Sequence, residues 1–196
     1  MKALLIRAFL YLVLVALVSQ ALYYEATSLD HFSMFSEWGH TEPLQSLTLF
    51  LCGALLLIKG RMSPRNRELA VCLALLFLAM LVRENDQHFE MMFPHGFWKF
   101  PAGLALLVMG IYAWHYRARL SEQVGRFTRS MPFGLMTSGF LALVFSRLVG
   151  RTAHWQAILG DAYIRAAKNA VEEGVEFFAL ALLLIGVIEW MARRYE

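Results

Sequence analysis

Glu84, His88, Glu173 and Glu176 are the residues whose types and spacing could do chemistry. Glu84 and His88 lie four apart in LVRENDQHFE, a spacing that sets both on one face of a helix. In NAVEEGVEFF, Glu173 and Glu176 lie three apart, and Glu172 stands four before Glu176. Carboxylates and imidazoles on facing helices are what helical bundles use to hold iron, manganese or zinc. The bundle sites use Glu-x-x-His pairs, whereas these four residues make one Glu-x-x-x-His and one Glu-x-x-Glu. The four residues are thus candidate catalytic groups and candidate ligands of a divalent metal ion. Such an ion would activate water against an ester or amide of a lipid or amphiphile. Glu37, Glu42, Arg83, Asp86, Arg147, Arg151 and His154 fall in the same or neighbouring segments and are the candidate ligand-binding residues.

Two other readings use the same residues. In the first, Arg83, Arg147 and Arg151 neutralise Glu84, Glu173 and Glu176, making an ion-pair network that locks helix ends together without catalysis. The protein would then be a membrane subunit or interaction protein. In the second, clustered Asp, Glu and His form a proton or cation pathway. Against it, only Gln45, Ser46, Thr48, Thr137 and Ser138 carry polarity further inward. Haem ligation would need facing His pairs such as His88 with His154. No Gly-x-Ser-x-Gly occurs to support a serine hydrolase. Cys52 and Cys72 fall at different depths of predicted helices and are expected as free thiols.

The elements that position these groups follow from hydrophobicity. The chain has 196 residues, 59% of them hydrophobic and 17% charged. Its long apolar runs exclude an ordinary soluble domain and predict an all-α, polytopic transmembrane bundle forming a single domain. Six helices are expected near 4–23, 43–58, 69–88, 100–116, 131–149 and 169–190. With that division, one side carries twelve Lys and Arg against four acids, and the other six against eleven acids. Every short basic loop falls on one side, so the positive-inside rule places both termini in the cytoplasm. These cations set topology, and nucleic acid is not an expected partner. Lys2 and Arg7 before an apolar stretch ending in Ser19-Gln20-Ala21 also have the form of a signal peptide. Its removal would leave the other five orientations unchanged.

The five Trp residues all fall at predicted borders, as an aromatic belt requires. The connections 59–68 and 117–130 read as short basic loops, and 150–168 as a short amphipathic helix. Gly103, Gly110, Gly134 and Gly139 are candidates for close helix approach.

Length then sets depth. The apolar run Leu69–Val82 supplies only about 21 Å of a hydrocarbon core about 30 Å thick. Its helix must continue through Arg83, Glu84, Asp86 and His88 to cross, and the last helix reaches full length only through Glu172, Glu173 and Glu176. A polar pocket facing the periplasm, in the outer third of the bilayer, is the expected site.

EWGHTEPLQ (37–45), LVREND (81–86) and VEEGVE (171–176), on this framework, resemble a pattern in bacterial multi-pass inner-membrane proteins of unknown function. The resemblance implies the bacterial inner membrane and brings no activity with it. A second, partial similarity is to alkaline ceramidase-like membrane hydrolases, whose zinc site uses a His-x-x-x-His pair. No such pair occurs in this chain.

Overall fold

In the computed structural model, which describes residues 2–28, 35 and 39–193, the ordered elements are helical, with no strand among the described residues. The helices are α1 (Lys2–Ser28), α2 (Thr41–Met62), α3 (Arg67–Glu84), α4 (Asp86–Met92), α5 (Lys99–His115), α6 (Arg117–Phe127), α7 (Met131–Val149), α8 (Thr152–Leu159) and α9 (Arg165–Ala192). Four stretches are long and apolar enough to cross a membrane: Leu5–Ser28, Thr41–Met62, Met131–Val149 and Arg165–Ala192. At 27 residues, α1 alone is about 40 Å long, beyond the thickness of a bilayer's hydrocarbon core. Leu5, Phe9, Leu12 and Leu17 on α1, and Leu141, Val144 and Phe145 on α7, are exposed. Apolar surface of that extent suits a hydrocarbon solvent and points to a membrane protein.

Two of the six expected spans are shorter. α5 has 17 residues. α3 has 18 and holds Arg67 and Glu68 in its first turn, Arg83 and Glu84 in its last. The helix expected over 69–88 is interrupted at Asn85, whose backbone leaves helical geometry at φ −99°, ψ 25°. Asn85 turns its amide inward, donating from Nδ2 to Ser46 Oγ and to the Leu81 carbonyl, both at 2.9 Å. A short polar side chain that competes for backbone partners favours such a break. The connection expected as a basic loop at 117–130 instead contains α6. The segment 150–168 does form a helix, α8, which ends at Gly160 with φ 53°.

The chain divides into two compact units, with α2, α7 and α9 contributing to both. Unit one is Met1–Leu44 with Thr137–Leu183; unit two is Gln45–Met136 with Leu184–Glu196. In unit one, Val18, Phe177 and Ala181 form a buried cluster that Leu14, Ala21 and Leu22 extend, joining α1 to α9. α7 lies against α9 at Gly139, where a Cβ would stand 2.7 Å from Leu183 Cγ and 2.9 Å from the Ala179 carbonyl oxygen. Only a glycine allows that approach. Of the four glycines singled out in the sequence, Gly139 alone has this role: a Cβ at Gly103, Gly110 or Gly134 would meet nothing within 4 Å.

In unit two, α3 packs along α5 and against α6. Leu56 and Phe77 are fully buried there, and Gly53 faces Phe77 across the α2–α3 contact. Cys52 and Cys72 are buried free thiols.

Candidate functional site

In unit one, the last turn of α7 and the start of α9 carry a charged cluster. α7 runs apolar until Arg147, and α9 opens with RAAKNAVEEGVE before its long apolar stretch. Arg147 Nη2 donates to both oxygens of Glu176 at 2.7 Å, and Nη1 donates to Glu172 Oε1 at 3.1 Å. Lys168 closes the other side of Glu172 from one helical turn away. The side chains of Glu176 and Glu172 are 6% and 12% exposed, while that of Arg147 is 45% exposed. A planar guanidinium suits this task, because its fork can serve two carboxylates at once. Ser146 Oγ donates to the Glu172 carbonyl at 3.0 Å, adding a neutral tie between the helices. Gly150, at the end of α7, leaves the room that the Glu172 carboxylate fills; a Cβ there would overlap it.

The ion-pair partners differ from those expected. Arg147 is central, but its second carboxylate is Glu172, and Glu173 acts on it through space. Glu173 is half-buried. Arg151 is exposed, with no ion pair among the described residues, and His154 is exposed on α8. Glu42 lies half-buried in the first turn of α2, where a carboxylate favours the helix dipole. Glu37 lies outside the described residues, as do His31 and Trp38.

In unit two, Glu84 and His88 lie on either side of the Asn85 break, so the continuous helical face expected for the pair is interrupted. Glu84 is largely shielded and lies 3.6 Å from Arg83 Nη1, whereas His88 is exposed and Asp86 half-buried. Glu90, next along α4, folds the following turn. Its Oε1 accepts from the Gly96 amide at 3.0 Å, and Oε2 lies 2.8 Å from His95 Nδ1. The Gly96 amide and then the His95 contact hold the Glu90 carboxyl below its ordinary value. Glu84 and His88 thus belong to one unit, and Glu173 and Glu176 to the other. Among the described residues, no three His, Cys, Asp or Glu side chains form a metal-ligand group.

Two polar clusters were not singled out in the sequence. Glu25, near the end of α1, is fully buried and accepts from the Phe35 amide at 2.7 Å and the Thr41 amide at 2.8 Å. It thereby supplies the first turn of α2 with an acceptor for an amide the helix leaves unsatisfied. It also steadies Phe35, which holds a left-handed φ of 52°. Asn169 Nδ2 donates to the Phe35 carbonyl at 3.0 Å. The available signal was a single acid closing the uncharged, mostly apolar stretch 8–24.

The second cluster joins α6 to α3. Gln123 Oε1 accepts from the Leu69 amide at 2.8 Å, while its Nε2 donates to Glu68. Arg119 Nη1 reaches the other oxygen of Glu68 at 3.3 Å. Both Gln123 and Glu68 are buried. One glutamine therefore serves as a cap for α3 and as the anchor of an amphipathic helix.

No protein-family model matches the chain, and no curated protein and no solved structure matches it either.

Proposed function

We propose that this is a non-catalytic integral component of a bacterial inner membrane, crossing it six times with both termini in the cytoplasm. Its charged outer helix ends then act as a structural lock and as the surface offered to a membrane protein partner. The observation that carries this reading is the Arg147 fork on Glu176 and Glu172, with Lys168 behind it. Carboxylates neutralised by two cations are poor metal ligands and poor general bases, since both roles need an available lone pair. The basic segments 59–68 and 117–130 support the orientation. In this reading α3 and α5 also cross, with Glu84 and Arg83 near the outer boundary. Local thinning of the bilayer accommodates their shorter lengths.

The test is a charge exchange in cells that depend on the protein. Arg147→Glu and Glu176→Arg should each lower accumulation, and the double exchange should restore accumulation and phenotype in part, since Glu172 then faces a carboxylate at position 147. A structural pair tolerates exchange of its partners, whereas a catalytic or metal-binding carboxylate does not. If the double variant accumulates normally but lacks the phenotype, and the purified parent protein carries stoichiometric metal lost in Glu84→Ala and Glu176→Ala, the metal-dependent, lipid-active reading replaces this one.

A further inference from the structure

A cleft in unit two, distinct from the Arg147 network, has the makings of an anion site. Lys59, Asn66, Arg126, Phe127, Arg129, Ser130, Trp190 and Arg193 enclose about 190 Å³. Four of the eight are cations and none is an acid. Glu122 pairs with Arg126 from the preceding turn of α6, while Lys59, Arg129 and Arg193 have no carboxylate partner among the described residues.

Cations at the inner ends of membrane helices ordinarily remain solvated and do no more than set topology. Two observations depart from that. Lys59 is 5% exposed, and its ammonium donates to the Arg193 carbonyl at 2.9 Å without a carboxylate partner among the described residues. A buried ammonium satisfied only by a neutral carbonyl has donors to spare and is costly without an anion. The Ser130 hydroxyl oxygen, in the same cleft, is buried with no hydrogen-bond partner among the described residues. A buried hydroxyl left unpaired normally signals a group that is to be supplied.

Chemistry and place together select the ligand. Guanidinium and ammonium groups with a hydroxyl are the donors that recognise a phosphate. Trp190 is nearly buried and packs on Phe127 at 4.8 Å between ring centroids, so the wall beside the cations is aromatic rather than open. Trp190, expected at a membrane border, lines this cleft.

We propose that this cleft binds a phosphate group, with Lys59 and Arg129 supplying charge and Ser130 a hydrogen bond. The group could arrive on a phospholipid headgroup or as free phosphate. The ends of α2 and α9 put the cleft where headgroups lie if those helices span.

The experiment uses the full-length protein, first in micelles holding equal phosphatidylglycerol and phosphatidylcholine, with retained lipid counted by native mass spectrometry. In parallel, equilibrium dialysis measures labelled orthophosphate binding in phosphatidylcholine nanodiscs. One retained phosphatidylglycerol per chain identifies the lipid source; saturable orthophosphate binding identifies the free anion. Either supports the site if Lys59→Met weakens it about tenfold, the loss of one charge-assisted hydrogen bond. Arg129→Ala and Ser130→Ala should each weaken it several-fold. Arg129 is exposed and its side chain makes no hydrogen bond among the described residues, so its variant decides the matter if Lys59→Met fails to fold. The proposal is overturned if both lipids are retained equally and orthophosphate does not bind. It is equally overturned if whatever binding is seen survives Arg129→Ala and Ser130→Ala unchanged.

Discussion

Removing Arg147 should destabilise the protein more than an exposed ion pair could and less than a fully buried one. Arg147→Met keeps the length of the stem and deletes the guanidinium that holds Glu176 through two 2.7 Å bonds. Breaking a buried pair from one side costs about 3–5 kcal/mol, whereas an exposed pair contributes about 0–1 kcal/mol. Here the carboxylate side chain is 6% exposed and the cation 45%, so the interaction lies between these limits. Lys168 remains to neutralise Glu172. The expected loss is about 2 kcal/mol for Arg147→Met and about 1 kcal/mol for Glu176→Gln, whose amide oxygen can still accept one bond. The double variant should lose less than the sum, with a coupling of about 1–2 kcal/mol, because the two side chains contact each other directly. Reversible unfolding of purified protein in mixed micelles, followed by circular dichroism, measures all four corners of the cycle. Additive losses, or an Arg147→Met variant within about 0.5 kcal/mol of the parent, would refute the reasoning.

Gly139→Leu should lower the melting temperature sharply, since Leu183 and the Ala179 carbonyl already occupy its space, while Gly103→Ala should leave it unchanged or raise it slightly. Gln123→Ala removes the acceptor of the Leu69 amide and a donor to Glu68. It should free α6, seen as faster trypsin cleavage at Arg117, Arg119 and Arg126 in a protein whose other helices remain protected. The turn closed by Glu90 should depend on pH. Its carboxyl is held below the ordinary value chiefly by the Gly96 amide, so the contribution is full above the unfolded carboxylate range and vanishes as pH falls through the lowered one. Protection of the Gly96 amide, relative to the intrinsic exchange rate at each pH, should fall across that acid window, and Glu90→Gln should abolish the dependence.

The helices were legible because apolar runs are a signal of composition and length, which no tertiary contact alters. All six expected segments carry a helix, but the breaks were less visible. Asn85 ends α3 through an amide that finds Ser46, a residue 39 positions away, and no local pattern announces that partner. α6 was hidden for a related reason. RARLSEQVGRF is basic and polar, and its register becomes meaningful only when Gln123 has α3 to cap. At the charged cluster, spacing correctly suggested that α9 presents several carboxylates on one side. It could not choose which of them Arg147 would take, because Glu172, Glu173 and Glu176 all lie within about a turn of one another. Glu25 was missed because its partners are backbone amides, which have no identity in a sequence.

The proposed topology puts the acidic start of α9 on one side of a membrane and its basic end on the other. Labelling of single cysteines by a membrane-impermeant maleimide tests this in intact cells, with Cys52 and Cys72 replaced by alanine. Ala153→Cys on α8, beside the charged end of α7, should react from outside, and Thr128→Cys, beside the basic cleft, only after the membrane is opened. Reaction of both from the same side would contradict it.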